Sequence, residues 1–502
     1  MITLNKYAKT ILLAGALAFT AVSCKDTISV DPVDQIPADD ALSTKEGIDA
    51  AITSIYATLK TEVMYGNRMV MLGDALSDNG QGTNKGGRYL SESRNTRGAH
   101  YSQWSTAYVV LNRINRALEA APLLNPPVVT QAQKDAWVGE LKFLRALYHF
   151  DLVRTYAYIP GAVVAAQDKG GVPISDKSTK TAEEALNFSS PRATIKQVYD
   201  FIYADLDDAV AKLASMTGTT SPAKANKQAA QMLYSRVALY NKDYPKAIQY
   251  ATDAINVRGT TLLTPANYVN GWSVAVNPES VFEVTSFNTS ETLGVNLSLQ
   301  TNLTTLVARG DRARKGGFGD LVATVDLANA LGITVTGSGS ATAAITARTA
   351  DVRNQLFELS ATSSSPYYVE CTKYLGKGGA INVDNFPLFR IAEAYLVRAE
   401  AYYNTPGSEA LALADVNKIR TNRGLAVSAA TGTALLTEIL LQRRVEFAFE
   451  GQRFFDLKRL GLDIFKPASN TVVAFTDPVI LPAIPQADVD GSKGTIPQNF
   501  SY

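Results

Sequence analysis

Apolar residues recur at helical spacing along most of the chain. Within residues 50–59, for example, Ile52, Ile55 and Leu59 fall on one face of a helix. The same spacing predicts helices over residues 108–121, 135–156, 195–213, 227–241, 244–257, 389–403, 408–423 and 434–460. The pattern therefore predicts a mainly all-α fold.

Two segments resemble tetratricopeptide units, in which two helices pair within about 34 residues. Residues 229–255 place Ala247, Ala251 and Ala254 on the second helix, and residues 392–420 repeat this spacing of small side chains. Small residues let paired helices approach closely. The spacing therefore favours a stack of tetratricopeptide-like pairs over the alternative, a generic helical bundle.

Three tracts between the helices lack this periodicity. Residues 74–100 are rich in Gly, Asn, Ser and Arg, residues 262–319 contain a strand-like piece at 280–286, and residues 332–348 are mostly Gly, Ser, Thr and Ala. Long loops on a helical scaffold commonly carry binding function. The sequence thus predicts irregular tracts that are either functional loops or disordered segments.

The first residues have the three parts of an export signal, which we assign to residues 1–23. Lys6 and Lys9 supply the charged start, and residues 11–22 form an apolar stretch too short to span a bilayer. Cys24 directly follows the small residue that ends this stretch. The arrangement is similar to a bacterial lipobox and predicts acylation of the Cys24 thiol, with ordinary secretion as the alternative.

A polar and acidic stretch follows the predicted lipidation site. Residues 24–40 are interrupted by Pro32 and Pro37, a composition that is typical of a flexible spacer. We therefore expect a lipidated tether over residues 24–40, ahead of the folded part of the chain.

Composition and charge exclude several classes of function. The 48 basic and 47 acidic residues leave a formal charge of +1, which lacks the basic surplus of a nucleic-acid binder. With only two cysteines, Cys24 and Cys371, the chain has no disulfide framework and no CxxC metal site. With only His100 and His149, it has no multi-histidine zinc site. We predict no metal and no cofactor, and we expect Cys371 and His149 to be core residues.

The sharpest catalytic candidates are Glu446 and Glu450, which lie four residues apart and would share a helix face. A retaining glycosidase needs two carboxylates about 5 Å apart. However, Arg443, Arg444 and Arg453 flank the pair at spacings that favour ion pairs within the helix. No HExxH, GxSxG or GxGxxG motif is present, so the sequence predicts a structural charge network and no enzyme.

Candidate ligand-binding residues combine flat rings with amides, carboxylates or guanidinium groups in the irregular tracts. Rings can stack on a ligand, amides and carboxylates can bind hydroxyl groups or a peptide backbone, and arginine can bind an acidic group. The candidates are Asp78, Asn79, Arg88, Tyr89, Tyr268, Trp272 and Arg309. The alternative for each is a loop residue that packs on its own scaffold, whereas Trp104 and Trp137 are expected in the core.

Several longer motifs follow one another along the chain. They are LGDALSDNG, ELKFLRALYHFDLVRTY, GGVPI, GGFGDLVATVDLANAL, FPLFRIAEAYLVRAEAYYN, VNKIRTNRG, LQRRVEFAFEGQRFFDLKRLG and LPAIPQADV. Behind a lipoprotein signal, this ordered set resembles the SusD/RagB family of Bacteroidota outer-membrane lipoproteins over essentially the whole mature chain.

The resemblance implies a scaffold of four tetratricopeptide pairs in a single domain of residues 41–502, with a less regular ligand-binding half. It also implies a surface-exposed, lipid-anchored outer-membrane protein that binds an oligomeric nutrient and delivers it to a SusC-like TonB-dependent transporter. Family ligands are usually oligosaccharides, and peptides are the alternative in the RagB branch. A surface glycosidase and a purely structural adaptor are the less favoured alternatives.

Overall fold

The computed structural model describes residues 38–124, 129–181, 183–184, 190–215, 221–257, 261–286 and 289–502. The predicted signal peptide, Cys24 and the predicted tether up to residue 37 lie outside the described residues. The described helices are α1 (Ala38–Ala41), α2 (Lys45–Thr58), α3 (Arg68–Ala75), α4 (Leu90–Ser93), α5 (Trp104–Ala120), α6 (Gln131–Tyr156), α7 (Ile195–Lys212), α8 (Lys227–Tyr240), α9 (Tyr244–Ile255), α10 (Pro265–Gly271), α11 (Leu299–Leu303), α12 (Val325–Ala330), α13 (Ile391–Tyr403), α14 (Glu409–Asn422), α15 (Gly432–Glu446), α16 (Arg453–Leu460) and α17 (Gln486–Gly491). The described strands are β1 (Gly80–Gly82), β2 (Ser280–Val284), β3 (Leu321–Ala323), β4 (Ile333–Thr336), β5 (Ala344–Arg348), β6 (Phe357–Leu359), β7 (Val369–Cys371), β8 (Phe386–Arg390), β9 (Ile464–Lys466) and β10 (Thr471–Val473).

Several helices begin at a side chain that caps the first free backbone N–H groups. The Oγ1 atoms of Thr44 and Thr130 accept backbone hydrogen bonds at the starts of α2 and α6. Thr194 and Gln197 form a reciprocal capping box at the start of α7. Because of these caps, α2 and α6 begin a turn or so before the residues that apolar periodicity alone predicts.

The long helices pack as a row of neighbours. In this row α5 packs on α6, α6 on α7, α7 on α8, α8 on α9, α9 on α13, and α13 on α14. Ala247, Ala251 and Ala254 of α9, and Ala399 of α13, are fully buried, as the repeat spacing predicts. The predicted mainly α fold is confirmed. None of the described helices is both long and apolar enough to cross a bilayer.

The strands are short and pair in antiparallel twos. The pairs are β1 with β3, β2 with β8, β4 with β5, β6 with β7 and β9 with β10. β2 confirms the strand expected within residues 280–286, and its partner β8 leads directly into α13. Residues 332–348 were expected to be irregular, but they contain the β4–β5 hairpin. These strand pairs and the loops between them form the loop-rich half.

Residues 434–460 form two helices and not the single helix that their periodicity predicts. α15 ends and α16 begins on either side of a sharp turn, in which Phe449 has a φ of 60° and Gly451 a φ of 74°. Backbone in this left-handed region interrupts a right-handed helix. The prediction that Glu446 and Glu450 share a helix face is therefore wrong.

The residues predicted for the core are buried. Trp104 and Trp137 are each 1% exposed. His149 is fully buried, its Nε2 accepts the backbone N–H of Ser175, and burial lowers its pKa to about 4. Burial also raises the pKa of the Cys371 thiol to about 12. Both are core residues: backbone hydrogen bonds occupy the two ring nitrogens of the weakly basic His149, and the Cys371 thiol stays protonated at neutral pH, so neither is suited to act as a general base or a nucleophile.

Candidate ligand-binding face

Asp78 and Asn79, two of the predicted ligand-binding residues, lie where the turn after α3 meets α15 and α16. The amide of Asn79 is fully buried, donates to Asp74 Oδ1 at 2.9 Å, and accepts from Arg444 Nε at 2.8 Å. Asp78 accepts from Arg453 Nε at 2.7 Å, and Arg444 Nη2 lies 3.3 Å from its second oxygen. In this structure Asn79 offers no exposed group to a ligand, and the carboxylate of Asp78 is already paired with two arginines.

The charge of Asp78 is stabilised by this contact. Burial alone would raise the pKa of Asp78, but its hydrogen bond to Arg453 and the charges of Arg453 and Arg444 hold the pKa below its ordinary value of 3.8. A carboxylate with a lowered pKa stabilises the fold above the pKa of the unfolded chain. This contribution is lost as the pH falls through the pKa of the folded state.

Replacing Asp78 with asparagine is therefore expected to lower the free energy of unfolding at pH 7 by about 2 kcal/mol. The difference between the wild type and Asp78→Asn should shrink as the pH falls from 5 to 3, because the wild-type carboxyl becomes protonated. Urea unfolding, monitored by circular dichroism at several pH values, measures this difference in the free energy of unfolding. The matched control is Asp200→Asn, at an exposed carboxylate that pairs with Lys196, for which a smaller change is expected. A difference that grows on acidification would contradict the structural role.

Glu446 and Glu450, the two catalytic candidates, lie in a buried cluster of charges. Their cluster has equal numbers of carboxylates and cations: Asp351, Glu279, Glu446 and Glu450 with Arg353, Lys373, Arg390 and Arg423. The side chains of Glu446 and Glu450 are 0% and 2% exposed. Burial alone would raise the pKa of Glu446, but Arg423, Arg390 and Arg353 hold it well below its ordinary value.

The predicted structural network is thus present, although its partners differ from those that the sequence suggested. Arg443 pairs with Asp456 and Arg453 pairs with Asp78, because the turn between α15 and α16 directs them away from the two glutamates. A fully paired, buried carboxylate cannot reach a scissile bond or exchange protons near neutral pH. Among the described residues, no group of three or more His, Cys, Asp or Glu side chains is placed to hold a metal ion.

Tyr268 and Trp272, the aromatic candidates of the second tract, are fully buried at α10 and its C-terminal end. Arg423 lies over the Tyr268 ring at 4.2 Å, and the Tyr268 hydroxyl lies 3.5 Å from Glu446. Lys373 lies over the Trp272 ring at 4.9 Å. The stacking role that the sequence predicts for both rings does not fit this burial, because neither ring has an exposed face.

The remaining candidates lie nearer the surface. Tyr89 is 7% exposed, with its hydroxyl bonded to Asn67. Arg309 is half-buried and donates to the backbone oxygen of Thr372 at 2.6 Å. Arg88 has a side chain that is 33% exposed, and a ligand contact by these three residues stays a prediction.

Two half-exposed tyrosines that the prediction missed, Tyr367 and Tyr368, lie in the loop between β6 and β7. The backbone of Tyr367 pairs with residues 339–340, and the backbone of Tyr368 pairs with Ser360. These hydrogen bonds fix the positions of both rings without burying them. The adjacent tyrosines in the serine-rich run SSSPYY are the sequence signal that could have identified them.

Cationic side chains surround these rings. Lys85 Nζ lies 5.4 Å from the Tyr368 ring centre, Arg312 Cζ lies 5.1 Å from the Tyr367 ring centre, and Arg88 Cζ lies 4.5 Å from the ring centre of Phe318. We call this surface the loop face. Its residues are Lys85, Arg88, Arg312, Lys315, Phe318, Tyr367 and Tyr368.

An open depression of about 410 Å³ adjoins the loop face at Arg312. Ile345 and Leu359 supply apolar walls, and Arg348 and Glu358 supply charged ones. Rings, charges and a depression that meet on fixed strands are the usual composition of a small-ligand site. The loop face therefore has the chemistry to bind a polar ligand with flat apolar surfaces.

A second cavity, of about 460 Å³, lies between α5 and the C-terminal segment. The Tyr108 hydroxyl in its wall donates to the oxygen of Pro173, and the Asn112 amide exchanges hydrogen bonds with Thr179. These polar groups already have protein partners, so this cavity is the weaker candidate for recognition of a polar ligand.

The chain matches two family models. Residues 358–494 match the model described as the SusD family, and residues 30–239 match the one described as starch-binding associating with outer membrane. The chain is 26% identical to SusD-like protein P2 of Formosa agariphila, over 92% of this chain and 93% of that protein. A stretch of 78 residues is 38% identical to starch-binding protein SusD of Bacteroides thetaiotaomicron, over 16% of this chain and 13% of that protein.

The fold has solved counterparts as well. The crystal structure of a SusD superfamily protein from Bacteroides vulgatus superposes on it with a TM-score of 0.77 at 24% identity, over 91% of this chain and 99% of that one. The sequence matches at both ends of the chain and the shared fold agree with the motif order of the sequence. The chain belongs to the SusD/RagB family.

Proposed function

We propose that this protein binds an oligosaccharide at the loop face. The observation that carries the proposal is the pair of half-exposed tyrosines, Tyr367 and Tyr368, fixed by backbone hydrogen bonds beside Lys85 and Arg312. A sugar ring has flat C–H faces that pack on aromatic rings, and hydroxyl groups at its edge that bind polar side chains. The starch-binding relative and the family description support a glycan ligand.

Binding without turnover is the proposed mode of action. The carboxylate pair that could have served a glycosidase is buried among arginines, at Glu446 and Glu450. A fixed surface of rings and charges needs little reorganisation to hold a ligand, which suits capture followed by release.

The location and the partner extend this proposal. The signal-like residues 1–23 and Cys24 support a lipid anchor in the outer membrane, and the family description names an association with that membrane. We propose that the loop face is exposed to the exterior and that the protein delivers its ligand to a SusC-like TonB-dependent transporter. A RagB-like peptide ligand is the alternative that the binding experiment must separate.

Replacing Tyr368 with alanine is expected to weaken glycan binding by about fivefold, because one ring contributes on the order of 1 kcal/mol by stacking. Isothermal titration calorimetry with maltoheptaose, laminarihexaose, oligogalacturonides and a defined peptide mixture measures the affinity. The matched control is Tyr402→Ala, which removes another half-exposed tyrosine that lies beneath an arginine, Arg398, on α13.

The two variants separate the outcomes. Weaker glycan binding in Tyr368→Ala, with Tyr402→Ala unchanged, supports the loop face as the site. Equal losses in both variants would indicate a general loss of stability and not a lost contact. Binding of the peptides, with no binding of any oligosaccharide, would indicate that the ligand is a peptide.

A further inference from the structure

The charged groups of the loop face are arranged in two layers. Asp320 and Glu370 have fully buried side chains, whereas the side chains of Arg88 and Lys85 above them are 33% and 13% exposed. Asp320 accepts from Arg88 Nη1 at 2.9 Å, and Glu370 Oε1 lies 3.5 Å from Lys85 Nζ. The carboxylates therefore lie beneath the two cations, of which Arg88 is the more exposed and Lys85 is partly buried.

The lower layer leaves the cations only partly neutralised. Glu370 Oε2 already accepts hydrogen bonds from the hydroxyls of Thr304 and Thr305 and from the backbone of Thr305. Its contact with Lys85 at 3.5 Å is at the limit of a hydrogen bond. Lys85 thus keeps donor capacity that a ligand could use.

Two further cations of the loop face, Arg312 and Lys315, add positive charge, although Arg312 also acts on the nearby carboxylate of Glu358. Among the described residues, Arg312 and Lys315 make no ion pair. Arg312 Nε donates to the oxygen of Ser360, whose hydroxyl in turn accepts from Lys85 Nζ at 3.2 Å. Burial is the main cause that lowers the pKa of Lys85, Glu370 opposes it, and the charge of the exposed Lys315 adds a smaller lowering. Lys85 and Arg312 therefore meet at Ser360, beside the rings of Tyr368 and Tyr367, and the charge of Lys315 is close enough to act on Lys85.

Acidic groups near the surface do not cancel this charge. Asp311 pairs with Arg314, and Glu358 accepts the backbone N–H of Gly310. Arg309, Arg312 and Arg348 all act on the one carboxylate of Glu358, and Lys315 makes no ion pair with a described residue, so a positive surplus remains at this face. A neutral sugar uses these groups only as hydrogen-bond donors to its hydroxyl groups, whereas an anionic ligand also gains from their charge.

We infer that the loop face binds a polysaccharide whose sugars carry acidic groups, either uronate carboxylates or sulfate esters. Tyr368 would pack against a sugar ring while Lys85, Arg312 and Lys315 bind its acidic substituents. The inference rests on the proposed function, because it names the class of glycan that the same face takes. Carboxylate and sulfate share the chemistry that these cations recognise, so the experiment distinguishes the two.

The test is titration calorimetry of the full mature protein with four polymers of matched length. They are polygalacturonate, dextran sulfate, unmodified dextran and polyglutamate, each at 50 and 300 mM NaCl. We expect one of the two acidic polysaccharides to bind at least tenfold more tightly than dextran, and its affinity to fall with added salt. Which of the two binds identifies the acidic group.

The variants are Lys315→Gln and the double variant Arg312→Gln/Lys315→Gln. Lys315→Gln should weaken binding of the acidic polysaccharide about threefold, and the double variant about tenfold. The side chain of Lys315 is exposed, so Lys315→Gln is expected to keep the native fold. The matched control is Lys196→Gln, at a lysine that is 83% exposed on α7, and it should leave the affinity unchanged.

The inference and the proposed function fail in different ways. Binding of dextran as tight as that of the acidic polysaccharides, unaffected by Lys315→Gln, would overturn the inference and leave the proposed function intact. Binding of polyglutamate as tight as that of the acidic polysaccharides would overturn it too, because charge alone would then suffice. Absence of binding to any saccharide, here and in the oligosaccharide panel, would overturn the proposed function itself.

Discussion

Replacing Arg390 with methionine is expected to lower the free energy of unfolding by about 4 kcal/mol. Arg390 is 1% exposed and donates to three carboxylates, those of Glu279, Glu446 and Glu450, at 2.8 to 2.9 Å. Methionine fills a similar volume but leaves these carboxylates short of one cation in a buried site. The loss arises from unpaired charge, since the apolar contacts are largely kept.

Urea unfolding at pH 7 measures this loss, and Arg390→Lys serves as a second variant if Arg390→Met fails to fold. Lysine keeps the charge but cannot bridge three carboxylates with a planar fork, so an intermediate loss is expected. The control is Lys196→Met, which removes an exposed cation from α7 and should change stability little. Equal stability of Arg390→Met and the wild type would contradict the network as a determinant of the fold.

The helices of this protein could be predicted because their signal is local. Apolar spacing and the capping threonines act within a few residues of each other, and α7, α8 and α9 begin at the residues that the pattern predicts. The break between α15 and α16 could not be predicted this way. Asp74 causes it from far along the chain, by accepting the backbone N–H groups of Phe449 and Gly451.

The ligand-binding residues were harder to predict than the fold. Tyr268 and Trp272 stand in an asparagine-containing tract that looks solvent-exposed, yet Arg423 and Arg390 cover them from positions more than a hundred residues away. A single sequence does not indicate such long-range cation–π contacts. Tyr367 is the opposite case: its ring lies at the surface and not in the interior. The backbone pairing with residues 339–340 that fixes it there is also long-range along the fold and does not show in the local sequence.

Two of the motifs that identified the family contact each other in the structure. LGDALSDNG supplies Asp74, Asp78 and Asn79, and these residues bind the turn and the arginines of LQRRVEFAFEGQRFFDLKRLG. Residues that recur in fixed order can therefore maintain the scaffold and need not touch a ligand. This explains why Asp78 and Asn79, the two candidates that stand in a family motif, lie in the contact between α3 and the turn after α15, whereas the candidate Arg88 lies on the loop face.

The second large effect concerns the contact between these two motifs. We expect Gly73→Ala to lower the free energy of unfolding by about 3 kcal/mol. A Cβ atom at Gly73 would lie 2.3 to 2.4 Å from backbone atoms of Gly451. Backbone cannot move aside as a flexible side chain can, so α3 must separate from the turn that Asp74 holds. Alanine favours a helix by about 1 kcal/mol relative to glycine, and the steric clash outweighs this gain.

The matched control is Gly491→Ala, at the last residue of α17, where an added Cβ meets no atom within 4 Å. Its stability should equal or slightly exceed that of the wild type, because alanine restricts the unfolded chain more than glycine does. Thermal and urea unfolding of both variants measure the difference. If Gly73→Ala matched Gly491→Ala, the two motifs would not be in close contact, and Asp74 would not hold the turn between α15 and α16. If instead only Gly73→Ala unfolds early, while its folded fraction still binds the oligosaccharide, scaffold and ligand site are separate parts of the molecule.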